Sequence, residues 1–305
     1  MRPEVARLHL GLDLGGTNIK WSVLERAGDD WRVQSRDQLP SGAAEGPAAV
    51  VDRLGNVARD AVRAFPQIAS IGIGLPGLYD AAAGTARFLP NLPGDWDGLP
   101  VAAPVSTLLR LPVALINDAR AFGLAELRLG AGRGVQSMVG LALGTGIGGV
   151  VVIDGRVHLG HDGTAGEVGH QIIDSDGPPC TCGSRGCLEA YAGSQRIAEA
   201  CGTRSAEEAV EAARGGDRRA REGIERVGRY LGIGIASLVV VLTPDRVVLG
   251  GGVAAAGELL LEPIRAELRR RVHTTDLAQV QLVTAELGTW AGSIGAAIHG
   301  AEATA

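Results

Sequence analysis

Two stretches of this chain use the same device: an apolar run, a glycine-rich turn and a second apolar run. Leu8–Leu14 reads as a strand, Gly15-Gly16-Thr17 as a turn and Ile19–Leu24 as the returning strand. Met138–Leu143, the turn Gly144–Gly149 and Val150–Ile153 repeat the pattern roughly one domain later. One glycine-rich hairpin is common. A pair at this spacing, in a chain long enough for about two domains, predicts a duplicated α/β unit with two lobes. Aligning the two turns sets Asp13 opposite Ala142, so only the first carries an acid.

Between and beyond the hairpins, strand-like runs alternate with amphipathic segments, the pattern of an α/β protein. Strands are expected at Ile68–Ile73 and Val113–Ile116, with the turn Leu75-Pro76-Gly77 after the first. Asn117-Asp118 opens a helix over Ala119–Leu129. The polar, Gly- and Pro-rich segment Gly155–Gly186 reads as a long functional loop. Helical spacing recurs over Ala206–Ala213 and Arg218–Tyr230, and Ile233–Leu242 reads as the next helix. A short strand at Arg246–Leu249 runs into Gly250-Gly251-Gly252, and Gly292–Gly300 closes the chain as a packed helix.

Composition removes several classes. Lys and Arg number 29 against 34 Asp and Glu, a mildly acidic balance that speaks against nucleic acid as a partner. Aromatics make up 3% of residues, too few for base-stacking platforms. No apolar stretch approaches the ~20 residues of a membrane helix, and Met1–Leu10 shows no cleavable apolar segment. A cytoplasmic protein without a membrane partner is expected. Glycine is abundant, at 46 of 305 residues, and clusters beside apolar runs as turns under a ligand would require.

The first chemical candidate is Asp13-Leu-Gly-Gly-Thr-Asn-Ile-Lys20. A carboxylate at a strand end, followed by bare backbone amides, can hold hydrated Mg²⁺ above a phosphate chain. Thr17 and Asn18 add donors, and Lys20 is the only lysine in the chain. An ordinary hairpin with a solvated lysine would look the same. The spacing fits neither a Walker loop nor a Rossmann fingerprint. Gly144–Gly149 supplies a second set of amides and the Thr145 hydroxyl, so that two lobes could grip one polyphosphate. Gly250-Gly251-Gly252 allows close approach of a flat base or is a plain strand-to-helix turn. Asp118 is either a helix N-cap or a general base taking a proton from a hydroxyl.

The strongest local signal is Glu167-Val-Gly-His170, Cys180-Thr-Cys182 and Cys187-Leu-Glu189. One His and three Cys match the ligand set of a closed, structural tetrahedral zinc site. Cys201 reads as a small buried apolar residue outside it. A rigid metal loop flanked by Glu167 and Glu189 could present several hydrogen-bonding groups to a polyhydroxyl ligand.

Together these motifs resemble the ROK family (repressors, open reading frames, sugar kinases), and within it the bacterial glucokinase-like members. The order agrees along the whole chain: residues 13–20, Pro-Gly at 76–77, Asn-Asp at 117–118, 144–149, Gly-Glu-x-Gly-His at 166–170, the Cys motif at 180–189 and Gly-Gly-Gly at 250–252. Val150 departs from a third glycine found in many members. The resemblance implies an α/β fold of two ribonuclease-H-like lobes, of the sugar kinase, heat-shock protein 70 and actin superfamily, with an interlobe cleft and a zinc-bound loop. It implies a small lobe at 1–117 plus about 290–305 and a large lobe at 118–289. Carried over by residue, Asp118 is the catalytic base. Gly77, Asn91, Asn117, Asp118, Glu167, His170 and Glu189 contact the sugar. Asp13, Gly16, Thr17, Asn18, Lys20, Thr145, Gly146 and Gly251 serve ATP with Mg²⁺, and His170, Cys180, Cys182 and Cys187 hold structural Zn²⁺. The implied reaction is phosphorylation of glucose at the 6-hydroxyl by a homo-oligomer, dimer or tetramer. The alternatives are another acceptor (mannose, fructose, allose, N-acetylglucosamine or N-acetylmannosamine), polyphosphate as donor, or a sugar-sensing transcriptional regulator. The last carries a helix-turn-helix before the first hairpin, for which Asp13 is expected to lie too near the start.

Overall fold

A computed structural model of the chain describes residues 7–28 and 30–304. Residues 1–6 of the stretch Met1–Leu10 lie outside them. By contacts the chain divides into two compact units, Met1–Leu129 with Thr289–Ala305, and Gly130–Gly288.

The first unit contains β1 (Arg7–Leu14), β2 (Asn18–Ala27), β3 (Asp30–Pro40), α1 (Pro47–Ala64), β4 (Ile68–Leu75), β5 (Leu78–Asp80), β6 (Thr85–Phe88), α2 (Ala102–Leu109), β7 (Val113–Asn117) and α3 (Asp118–Leu129). From the far end of the chain it takes α9 (Ala291–Glu302). Its sheet has the order β3-β2-β1-β4-β7: the first three strands are antiparallel to their neighbours, and β4 and β7 extend it in parallel. Successive side chains of a strand face opposite ways. Leu10, Leu12 and Leu14 therefore bury one face of β1 in a core with Val50 and Leu54 of α1. Gly11, on the other face, receives α9.

That second face is closed at backbone distance. A Cβ on Gly11 would stand 1.9 Å from the Ser293 carbonyl oxygen, and one on Gly72 of β4 1.7 Å from that of Ala296. On the opposite side of α9, a Cβ on Gly295 would stand 1.8 Å from the Ala121 carbonyl oxygen of α3. Helix α9 thus lies between sheet and α3 with almost no side chain intervening. This packing keeps α3 in the first unit, whose first segment ends at Leu129.

The second unit contains β8 (Met138–Leu143), β9 (Ile147–Ile153), β10 (Arg156–Val157), α4 (Glu189–Ala192), α5 (Ser194–Cys201), α6 (Ala206–Arg214), α7 (Arg218–Leu242), β11 (Arg246–Gly250), α8 (Glu258–Arg271) and β12 (Gln281–Thr284). Its sheet, β10-β9-β8-β11-β12, repeats the order and strand directions of the first. The duplicated hairpin is therefore the opening pair of two sheets of one topology. Among the described residues, no helix is long and apolar enough to cross a membrane.

Two local expectations are corrected. The second hairpin turn is Gly144–Gly146, and Gly148 and Gly149 belong to β9. Gly149 serves close approach: a Cβ there would stand 2.3 Å from the Gly166 carbonyl oxygen. The segments 218–230 and 233–242 are one 25-residue helix, α7. Glycine within a helix costs about 1 kcal/mol, but Gly228 and Gly232 let α8 approach: Cβ atoms there would meet Pro263 Cβ at 2.8 Å and Glu267 Cβ at 2.6 Å.

Gly72→Ala should destabilise the protein by about 3 kcal/mol, because neither the sheet nor the α9 backbone can give way to a methyl group. Gly144→Ala, which meets nothing within 4 Å, should be close to neutral. Denaturant unfolding of both variants checks the contrast.

Candidate active site

In the first unit the predicted residues gather at the C-terminal ends of β1, β4 and β7, the edge where open α/β sheets bind ligands. Asp13 lies on the α9-facing side of β1, opposite Lys20 in the β1–β2 ladder and Gly74 in the β1–β4 ladder. Gly292 of α9 presses on it so closely that a Cβ there would lie 2.4 Å from Asp13 Oδ2. Burial raises the Asp13 pKa to about 7; the Asp118 carboxylate pushes it in the same direction, and Lys20 opposes both. The two acids therefore sense each other, and a cation at Asp13 would relieve the repulsion.

The turn after Asp13 is tied down from behind. Gly15 N–H donates to the Asn18 carbonyl (2.9 Å), Ser41 N–H to that of Thr17 (2.8 Å) and Ser41 Oγ to that of Gly16 (2.8 Å). Gly16 and Thr17 remain exposed. Asn91 lies beside them, its carbonyl oxygen 3.1 Å from where a Gly16 Cβ would stand. Gly77 has φ +121° and is pressed by the Phe88 carbonyl, 2.3 Å from its Cβ position.

Asn117 joins Gly77 to α3. Its Nδ2 donates to the Gly77 carbonyl (3.1 Å). Its Oδ1 accepts from Ala119 N (3.0 Å), Arg120 N (3.2 Å) and Arg120 Nη1 (2.9 Å). Asn117 is thus the N-cap of α3, and Asp118 is its first residue, with Oδ1 accepting from Ala119 N (2.8 Å). Asn117 and Asp118 thus share the Ala119 amide, while the Arg120 amide goes to Asn117.

In the second unit the Gly144–Gly146 turn stands at the end of β8, held by Ser194 N–H on the Gly144 carbonyl (3.2 Å). Glu189 Oε2 accepts from Ile147 N (2.7 Å) and occupies the place of a Gly146 Cβ, which would lie 2.1 Å away. The short helical turn Val168–His170 lies against β9, with the Ile147 carbonyl 2.1 Å from the Gly169 Cβ position. Gly251, at φ +86°, is stacked on the Leu143 backbone. Thr145, Gly146, Glu167, His170, Glu189 and Gly251 therefore surround one end of this sheet.

A cleft of about 660 Å³ opens there, starting at Leu143–Thr145 and continuing past Ser194, Thr203, Ser205 and Glu207 to Val253. Sequence reading found its glycine-rich end and missed the rest, because polar residues near helix starts look like ordinary caps. Ser205 is indeed the cap of α6. Arg120 was missed as well; its only signal is a charge in the small and apolar run Ala119-Arg-Ala-Phe-Gly.

The ligand atoms of His170, Cys180, Cys182 and Cys187 all lie within 4.8 Å of one another, a group that could hold a metal ion. Cys180 Sγ is 3.7 Å from His170 Nδ1, and Cys182 Sγ 3.7 Å from Cys187 Sγ. Burial and the adjacent Cys180 and Cys182 sulfurs push the Cys187 thiol up to about 12, a penalty that a central cation would reverse. Cys201 lies elsewhere, under α7, donating to the Ala220 carbonyl.

The ROK family profile matches residues 9–302. The chain belongs to the ROK family. Among its ROK relatives, the glucokinase of Thermotoga maritima is 34% identical over 307 aligned residues, covering 94% of this chain and 95% of the relative. The ROK hexokinase of Thermus thermophilus superposes with a TM-score of 0.82 at 36% identity, over 97% of this chain and 99% of that one. A ROK glucokinase of Streptomyces griseus, solved with glucose and AMPPNP, gives 0.81 at 31% identity, with 97% and 99% covered.

The raised Asp13 pKa makes a prediction for this ROK protein without added metal. A carboxyl whose folded pKa lies above its unfolded value costs little at pH 4, close to the unfolded value, and its cost grows as pH rises towards 7. Asp13→Asn should therefore change stability little at pH 4 and raise it by on the order of 2–4 kcal/mol at pH 8. Unfolding in EDTA at the two pH values measures the difference.

Proposed function

We propose that this protein transfers the γ-phosphoryl group of ATP to the 6-hydroxyl of glucose. The observation that carries the reading is the pair of acids at the sheet end: Asp118, which opens α3 beside the capping Asn117 and shares the Ala119 amide with it, lies within electrostatic range of the buried Asp13. The match to glucokinases across nearly the whole chain supports glucose as the acceptor.

In this mechanism Asp118 takes the hydroxyl proton as the sugar oxygen bonds to the γ-phosphorus and the bridging oxygen leaves with ADP. Gly77, Asn91 and Asn117 offer backbone and amide groups to the sugar hydroxyls. In the second unit, Glu167, His170 and Glu189 present carboxylates and an imidazole of the kind that bind hydroxyls. Backbone amides at the exposed Gly16, Thr17 and Thr145 and the half-buried Gly146 suit phosphate oxygens, with Lys20 as the cation beside the first turn. The cleft beyond Thr145 suits the nucleoside, with Gly251 at its edge. Mg²⁺ bound with ATP would neutralise charge on the transferred group, and the enclosed, repelled carboxylate of Asp13 fits it.

The Cys cluster is read as structural zinc. Zn–S and Zn–N bonds of ~2.3 and ~2.05 Å in a tetrahedron set S–S and S–N separations of roughly 3.8 and 3.6 Å. The 3.7 Å separations at Cys182–Cys187 and Cys180–His170 agree. His170 turns Nδ1 to this cluster, so the ring links the metal loop to the hydroxyl-binding side.

Asp118→Asn keeps the helix cap and should lower kcat by about 10²–10⁴ while glucose affinity and melting temperature change little. Turnover, calorimetric glucose binding and thermal unfolding on one preparation test this. A variant with normal turnover would remove Asp118 as the base. Elemental analysis should find one zinc per chain, retained in Cys201→Ala and lost in Cys182→Ser together with stability.

A further inference from the structure

Arg120 is the largest fully buried side chain among the described residues, 2% exposed. It lies in the first turn of α3, at the positive end of the helix dipole, where a buried cation is unfavourable. Such a group persists only with strong compensation. Its Nη1 donates to Asn117 Oδ1 (2.9 Å), the atom that caps α3, and the same side chain's Nδ2 reaches the Gly77 carbonyl (3.1 Å). Tyr79, two residues past Gly77, joins the cluster. Burial pushes its pKa up, while the Arg120 charge and the Asn117 backbone amide pull it down. One guanidinium thus stands where the β4–β5 turn meets the β7–α3 junction, two residues from Asp118 in sequence.

We propose that Arg120 is a positioning residue for the acceptor side, holding Asn117 and through it the Gly77 turn in register with Asp118. The proposal rests on the sugar kinase reading and adds a residue that touches neither substrate nor phosphate. A small displacement of such a wall is enough to cost up to ~10² in rate.

The test is steady-state kinetics of Arg120→Met and Arg120→Lys, with glucose and ATP varied separately and unfolding measured alongside. Arg120→Met removes charge and donors while roughly keeping length, and Asn117 retains its two backbone donors, so α3 stays capped. Its kcat/KM for glucose should fall about 10- to 100-fold with the ATP KM within about two-fold. Arg120→Lys, still able to donate to Asn117 Oδ1, should recover part of the loss. An unchanged glucose kcat/KM in a folded variant overturns the proposal, as does an equal rise in the ATP KM. Should Arg120→Met fail to fold, Arg120→Lys reads the same split, a loss of about 3- to 10-fold on the glucose side alone. A native protein that phosphorylates no hexose overturns the kinase reading and this proposal together. An active native protein with unaffected variants overturns only the latter.

Discussion

The backbone contact of α9 with its two neighbours is the constraint on which the first unit depends. Gly11 and Gly72 bring the helix against the sheet, and Gly295 brings it against α3. Glycine loses more conformational freedom on folding than any other residue. Here that loss is offset by continuous van der Waals contact where side chains would hold the layers apart. Two consequences reach the site. Gly292 encloses Asp13, which raises its pKa, and the seating of α3 sets Asp118 within electrostatic range of it. The acidity of the site is thus a property of helix packing as much as of the acids themselves.

The second unit solves a different problem with similar means. Its mostly irregular segment from Gly155 to Gly186 holds only the short strand β10, the turn Val168–His170 and isolated bridges such as Ile172 with Cys187 and Pro179 with Arg185. It brings His170, Cys180, Cys182 and Cys187 together, and Gly166 and Gly169 let it lie close on β9. Glu189, two residues after Cys187, then reaches the amide of Ile147. A carboxylate just past the last of the clustered cysteines therefore holds the turn that carries Thr145 and Gly146. Loss of the cluster would be felt at that turn without any direct contact.

Much of this was legible in the sequence. The strands through Leu8–Leu14 and Met138–Leu143 were plain because apolar residues run unbroken into glycine. The Cys–His group was plain because clustered cysteines in a polar loop have no packing purpose. Other elements gave weaker signals. Strand β3 is mostly exposed and polar, so nothing in Asp30–Pro40 marks it as paired to β2. Helix α7 was read as two pieces because glycines interrupt it, although those glycines are where α8 packs. Gly148 and Gly149 were read as turn for the same reason. A glycine looks alike whether it bends the chain or admits a neighbour.

The sequence by itself determined the duplicated α/β plan and the gathering of one His and three Cys in a group that could hold a metal ion, because local pattern and residue chemistry suffice for each. Only the tertiary structure decided which side chain takes which amide at the start of α3. Asn117 and Asp118 are adjacent acceptors of nearly equal capping ability, and only the folded geometry gives the Arg120 amide and guanidinium to Asn117. The cleft wall from Ser194 to Val253 and the buried Arg120 were also decided there. Each depends on segments distant in the chain meeting at one sheet end, and burial and long-range contact leave no periodic trace in sequence.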